Sequence, residues 1–199
     1  TFHPTDSKTL YIRTDIGGIY RYDFDKQTWA YLADKVSVDD PAQTYPLAIA
    51  LDENDPNKLF FTCGDKRSNY ICISDDKGEN ITQKPLPCSV HGNEVGRATG
   101  DRLIYKSGRL YFGSQTAGII YSEDMGESWQ SIDLFGEKNI SLIWTDSEGK
   151  LFIAGCSGEA NSPDGVTRGH TLYCSTDGLK SFVPLTAPNP VKYENSSYY

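Results

Sequence analysis

The sequence predicts an all-β protein, a β-propeller built from about four four-stranded blades. Three observations carry this expectation. Short runs of Tyr, Phe, Ile and Thr alternate with clusters of Gly, Asp and Asn, the composition of strands and tight turns. No long stretch has helical periodicity. A short motif also returns at near-constant spacing, the mark of a repeat architecture.

The motif is S-x-D-x-G-x-x-W, the Asp box. Its full copy is Ser122-Glu-Asp124-Met-Gly126-Glu-Ser-Trp129. It recurs as Ser74-Asp-Asp76-Lys-Gly78-Glu-Asn-Ile81, with Ile in the Trp place. A third copy, Ser175-Thr-Asp177-Gly-Leu-Lys-Ser-Phe182, shifts the Gly and closes on Phe. A worn copy ends at Trp29. The closing hydrophobes follow one another at intervals of 52, 48 and 53 residues, close to the roughly 40–50 expected of a propeller blade. In each copy the Asp is placed to accept backbone N–H groups of its own turn, and the Gly permits positive φ. The closing aromatic is expected to start the next strand and pack between sheets. These residues are therefore read as structural.

A second unit precedes each box. Leu51-DENDPNK-Leu59-Phe60 aligns with Phe2-HPTDSKT-Leu10-Tyr11, each a hydrophobe, a polar turn and a new strand. Ile104-YKSGR-Leu110-Tyr111 and Ile143-WTDSEGK-Leu151-Phe152 are the same hairpin, with Gly108 and Gly149 supplying turn chemistry. The blades are expected over about 1–35, 43–87, 98–135 and 140–186, followed by a Pro- and Asn-rich tail over 187–199. The strand matching Tyr45-PLAIAL-Asp52 would precede Thr1 in the first blade. Propellers need about four to eight blades to close, so the chain is expected to be a fragment of a larger, seven-bladed propeller.

Composition narrows the function classes. The net charge of -8 argues against nucleic acid, which requires a basic face. It leaves neutral ligands such as sugars unaffected. No apolar run approaches the roughly 18 residues of a membrane span, and no signal peptide is visible. Five cysteines with no CxxC spacing read as buried thiols rather than a zinc site. His3 and His170 read as turn residues. The DENDPN run at 52–57 reads as a hairpin rather than a calcium loop, since it lacks the later Gly and bidentate Glu. No metal or cofactor is implied.

Two segments lie outside the repeat logic. Tyr11-Ile-Arg13-Thr14-Asp15-Ile-Gly17-Gly18-Ile-Tyr20-Arg21-Tyr22 resembles the R-T-D-V-G-G-A-Y-R-W run of the first blade of glycoside hydrolase family 74, the xyloglucan-cleaving glucanases. His91-Gly92-Asn93-Glu94-Val-Gly96-Arg97-Ala-Thr-Gly100-Asp101-Arg102-Leu103 resembles that family's G-G-N-x-P-G-R-G-x-G-E-R-L stretch, at the matching place in blade order. The resemblance spans about residues 2 to 135. It departs at Ile16, Tyr22, Ile81 and Val95, where the family has Val, Trp, Trp and Pro.

The resemblance implies an inverting hydrolase of xyloglucan or a related β-1,4-glucan. Two carboxyl groups act there, about 6.5–9.5 Å apart, so that a water fits between base and sugar. It implies that Asp15 is one of the two catalytic carboxylates, taken as general base. It places the other on a second propeller, absent from these 199 residues. The isolated chain is then expected to be inactive. Asn93, Glu94 and Arg97 are candidate sugar-binding residues, or alternatively loop ties. Tyr20, and less specifically Tyr45 and Trp144, are candidate stacking platforms for pyranose rings. Secretion follows from the substrate class. The expected partners are a polysaccharide or oligosaccharide, the remainder of the same propeller and the second propeller, with neither nucleic acid nor membrane. Two alternatives remain from the residues: a non-catalytic propeller that binds glycans or proteins, and a sialidase, whose usual R-I-P motif is missing.

Overall fold

The computed structural model describes residues 1–14, 17–36, 45–65, 67–90, 102–134, 138–146, 148, 150–156, 170–177 and 181–185. These residues form four antiparallel sheets and a short 3-10 turn at Ala33–Lys35. The first sheet holds β1 (Thr9–Arg13), β2 (Ile19–Asp23) and β3 (Thr28–Tyr31). The second holds β4 (Pro46–Leu51), β5 (Leu59–Cys63), β6 (Tyr70–Ser74) and β7 (Thr82–Pro85). The third holds β8 (Leu103–Lys106), β9 (Arg109–Gly113), β10 (Ile119–Ser122) and β11 (Gln130–Ile132). The fourth holds β12 (Ile140–Thr145), β13 (Leu151–Cys156), β14 (His170–Ser175) and β15 (Val183–Leu185). Each sheet is a simple meander, with spatial order equal to chain order. In the first sheet Phe2 bridges Leu10, where the second sheet pairs Leu51 with Leu59. Phe2 thus marks the position of an inner strand.

Burial falls from the inner strands to the outer. Almost every residue of β4 and β5 is buried, whereas β11 and β15 are mostly exposed. A strand buried on both faces is apolar throughout, hence Pro46-LAIAL and Leu59-FFTC. Both faces are covered because the sheets stack in chain order. Tyr11, Ile19 and Leu32 of the first blade pack on Leu59, Phe61 and Cys72 of the second, with Ile81 against them. Phe60, Ile71 and Ile73 of the second meet Leu103, Phe112 and Ile120 of the third, with Trp129 alongside. Tyr111 and Ile119 of the third meet Ile143, Ile153 and Tyr173 of the fourth, with Phe182.

The closing hydrophobe of each box therefore packs on the preceding blade. Trp29 departs from this, being 55% exposed. It lies on the face of the first blade that points away from the second, against which no described sheet lies. Tyr22 and Phe24 flank it there, and Phe2 stacks on Phe24 with centroids 5.9 Å apart.

The boxes fold alike. Ser74 donates its hydroxyl to Asp76 Oδ1 at 2.7 Å and accepts the buried Gly78 N–H at 2.8 Å. Asp76 also accepts the N–H and side-chain amide of Asn80. Ser122, Asp124, Gly126 and Ser128 repeat the same bonds, and Ser175, Asp177 and Ser181 repeat most of them. Gly78 has φ of +85°, and a Cβ there would meet Leu32 of the first blade at 2.8 Å. The box glycine is thus both a turn residue and a contact between blades.

A cation of the preceding blade clasps each of two boxes. Arg21 donates to Lys77 O at 2.6 Å and pairs with Glu79. Lys84 donates to Met125 O at 2.8 Å and pairs with Glu127. Lys77 and Met125 hold the same place in the box, at φ of 59° and 57°. On the inner side, Lys77 pairs with Asp6 at 2.6 Å and Lys106 with Glu53. The Lys77 ammonium and the Thr9 hydroxyl hold the Asp6 carboxyl well below the usual carboxylate range. His3 accepts Thr5 N–H at Nδ1, so Nε2 carries the proton and donates to Asp52 O at 2.8 Å. It is a buried tie between blades. Asp52 and Asp55 accept the N–H groups of Asn54 and Asn57, as hairpin turn residues do. Cys63 and Cys72 are buried free thiols, and Cys88 and Cys174 are half-buried and free.

Two outcomes are expected. Ser122→Ala leaves the buried Gly126 N–H without an acceptor and should cost about 1–3 kcal/mol in a denaturant titration. Asp76 and Asp124 are held at about 2 by hydrogen bonds from Asn80 and Ser128 respectively, below the roughly 3.9 of an unfolded Asp. Their contribution is complete above about pH 4 and is lost as pH falls toward 2. Thermal midpoints of wild type should fall through that window, and those of Asp124→Asn should fall less.

Candidate functional site

Antiparallel strands alternate in direction, so the connections sort to two ends of the stack. The Asp boxes and the turns before β1, β5, β9 and β13 lie at one end. At the other end lie the links β1–β2, β5–β6 and β9–β10 and the crossings from each blade to the next. Hydrogen bonds join these latter segments: Leu86 N–H donates to Asn69 O, Val90 N–H to Ser68 O and Gly113 N–H to Arg102 O. The described residues that flank Asp15 and Ile16 (Thr14 and Gly17) and those that flank 91–101 (Val90 and Arg102) therefore lie at the same end of the stack.

Of the five predicted site residues, Tyr20 alone is described. Asp15, Asn93, Glu94 and Arg97 lie outside the described residues, as does the whole of 91–101. Arg13 pairs with Ile19, which leaves a five-residue loop over 14–18. Thr14 closes it by donating both its N–H and its hydroxyl to Gly18 O, each at 3.1 Å. Tyr20 donates its hydroxyl to Gly17 O at 2.8 Å. Tyr31, paired across the hairpin with Tyr20, lies against it at 5.0 Å between centroids. Gly18 has φ of +95°, and a Cβ there would meet the Tyr31 ring at 2.3 Å. A ring thus covers the backbone where R-T-D-I-G-G presents its two glycines.

The third blade closes its corresponding link with the same backbone hydrogen bond. Gly113 pairs with Ile119, and Ser114 N–H donates to Gly118 O at 2.8 Å across residues 114–118. Gly118 also has positive φ, 77°. The five-residue hairpin is therefore a reusable part of the fold, and its sequence in that blade is S-Q-T-A-G. Gln115 stands there where Asp15 stands in the first blade. The turn does not require a carboxylate at its second position. Tyr31 is the contributor that sequence reasoning missed. Its signal was its place across a hairpin from Tyr20, legible only once the register of β2 and β3 is known.

The other predicted platforms sit elsewhere. Trp144 stacks on Phe152 at 4.0 Å, on the face of the fourth blade away from the third. Tyr45 is half-buried before β4, and its carbonyl accepts Gly64 N–H at 2.6 Å. Among the described residues no three His, Cys, Asp or Glu side chains gather as a metal site. No helix among them is long and apolar enough to cross a membrane.

No family model matches the chain. It is 34% identical over 164 residues to an oligoxyloglucan-reducing end-specific xyloglucanase of Emericella nidulans, covering 76% of this chain and 20% of that protein. It is 28% identical over 201 residues to a xyloglucanase of Paenibacillus sp, covering 89% and 20%. The crystal structure of the GH74 xyloglucanase from Xanthomonas campestris matches with a TM-score of 0.77 at 25% identity, over 98% of this chain and 31% of that one. The GH74 enzyme of Niastella koreensis matches with a TM-score of 0.77 at 29% identity, over 94% and 29%. The chain thus spans about a fifth of the length of the curated relatives it matches.

Gly18→Ala is expected to destabilise the first hairpin by about 1–3 kcal/mol, through positive φ and the clash with Tyr31. Gly108→Ala, at φ of +82° with nothing within 4 Å of the added Cβ, should cost less. Thermal melts of the two variants measure the difference.

Proposed function

Since this chain is homologous to the glycoside hydrolase family 74 enzymes over part of their length, we propose that it forms part of an inverting hydrolase of xyloglucan or a related β-1,4-glucan. The observation that supports this best is the pairing of two motifs. The described residues on either side of Asp15-Ile16 and of 91–101 lie at the same end of the stack, and curated relatives are named xyloglucanases.

In this reading Asp15 is the general base. It takes a proton from a water that attacks the anomeric carbon, while a second carboxylic acid on the opposite face protonates the leaving oxygen. That acid belongs to a second propeller outside these residues. One carboxylate cannot serve both faces of the sugar, so the 199-residue chain by itself carries out no turnover. Asn93, Glu94 and Arg97 supply hydrogen bonds to sugar hydroxyls. The enzyme acts outside the cell, where its polymer substrate is.

The exposed apolar face of the first blade belongs to the same reading. Phe2, Leu10, Ile12, Tyr20 and Trp29 hold the places that Leu51, Leu59, Phe61, Cys72 and Ile81 hold in the second blade. Those residues pack on a preceding blade, so another blade of the same propeller covers this face.

A non-catalytic propeller is the second reading. It is favoured by the recurrence of the hairpin in the third blade without a carboxylate. The two readings part on Asp15→Asn in the full-length parent protein. The hydrolase reading expects xyloglucan turnover to fall by about 10³-fold or more with the melting temperature unchanged, since a removed acid–base group typically contributes 10²–10⁴-fold. Unchanged turnover would return the motif to a turn.

A further inference from the structure

We propose that the first blade joins the blade that covers it through an aromatic seam, in place of the cation clasp, and that the covering blade belongs to the same polypeptide and turns an apolar surface to it. The proposal rests on the reading that another blade of the same propeller covers this face, and adds how the two join.

The two clasped joints share one device. The turn of the following blade offers a carbonyl at a residue of positive φ and an acid two places on. A cation of the preceding blade binds both: Arg21 at Lys77 O and Glu79, Lys84 at Met125 O and Glu127. The box serine shapes that turn, because its hydroxyl accepts the glycine N–H.

The first blade has a different turn. Tyr22 pairs with Leu10 where Ser74 pairs with Leu59 and Ser122 with Leu110. A ring thus stands in the place of the serine hydroxyl. Asp23 pairs with Thr28, which leaves only residues 24–27 in the turn, against 74–81 and 122–129 in the next two blades. The acids of this short turn are engaged inside their own blade. Asp23 accepts the N–H groups of Asp25 and Lys26 and pairs with Lys26, and Asp25 pairs with Lys8 at 2.8 Å. Gln27 has positive φ, 54°, but Trp29 stands two places on where the boxes have Glu.

Rings occupy the rest of the face. Phe2, Phe24, Tyr22, Trp29, Tyr20 and Tyr31 form an unbroken series, each within 6.4 Å of the next between centroids. Strand alternation puts Leu10, Ile12, Tyr20, Tyr22, Trp29 and Tyr31 on this face and Arg13 and Arg21 on the other. The three strands therefore offer the covering blade no charge. Phe2, Phe24 and Trp29 are 54%, 44% and 55% exposed, a contiguous apolar patch of the kind that marks an interface. The matching places in the second blade, Leu59, Phe61 and Cys72, are wholly buried against the first. An apolar partner surface fits here, since a cation arriving at the short turn would be buried without the carbonyl and acid that the boxes supply.

The test is hydroxyl-radical footprinting of the full-length parent protein, with mass spectrometry of the peptide that holds Trp29 and light scattering for the oligomeric state. In the monomer, Trp29 should be oxidised at least about tenfold more slowly than in the denatured chain, as at a stably closed position. That protection should persist in Asp25→Asn and in about 1 M sodium chloride, which screens exposed ion pairs, and should fall in Phe24→Ala. Oxidation of Trp29 at the denatured rate overturns the proposal. Protection that appears only on dimerisation gives the face to a second copy, and protection only with xyloglucan oligosaccharide present gives it to sugar; either overturns it. Loss of protection in Asp25→Asn or in salt assigns the joint to charge and overturns the aromatic seam. Xyloglucan turnover by the same preparation reports separately on the hydrolase reading. A protected Trp29 without turnover keeps the seam, and turnover with Trp29 exposed removes the seam alone.

Discussion

A sheet that is apolar on both faces cannot stand alone in water. That constraint organises the rest of the molecule. Among the described sheets the second and third each bury one face on the preceding blade and the other on the following one, and the inner strands of the second are apolar at nearly every position. The Asp box makes this stacking specific. Its serine and aspartate satisfy the N–H groups of a tight turn, and the turn then delivers a hydrophobe, a glycine and an acid to the preceding blade. Leu32 fits against Gly78, Ile81 joins the same cluster, and Arg21 closes on Glu79. One turn thus sets packing, close approach and charge pairing together.

Stacking frees the opposite end of the sheets. The links there carry no box, and they vary in length and sequence. The described residues that flank Asp15-Ile16 and 91–101, the stretches that repeat logic leaves unexplained, lie at this end. A rigid stack beneath variable loops is a general way to place reactive groups, and the Asp15 hairpin has that form. The third blade closes its corresponding link with the same backbone hydrogen bond, and the first differs in the tyrosine hydroxyl and ring that lie against its glycines.

Much of the fold was legible because the boxes are local. Ser122, Asp124 and Gly126 interact within five residues of one another, and such short-range geometry is written directly in the order of side chains. That Phe2 stands where Leu51 stands could be read from the alignment of the two hairpins, and the Phe2–Leu10 bridge matches the Leu51–Leu59 pair. The clasping cations could not, because Arg21 and Glu79 are 58 residues apart and meet only through stacking. Trp29 misled for the same reason: what covers it depends on a neighbour rather than on its own repeat. In the site, the motif around Asp15 was visible, whereas the role of Tyr31 depended on strand register. The likeness between T-D-I-G-G and S-Q-T-A-G is one of backbone, with only the first residue type and the last glycine to suggest it.

Stacked blades with the Arg13–Gly18 motif at one end are, in the proposed function, the frame for hydrolysis of a neutral β-glucan. Reducing-sugar release by the full-length parent protein from tamarind xyloglucan, carboxymethylcellulose and a sialoside tests the link between them most directly. Release from xyloglucan, with none from the sialoside, is the predicted result. Absence of release from all three, by a protein shown to be folded, would contradict the account and leave a propeller that binds without cleaving.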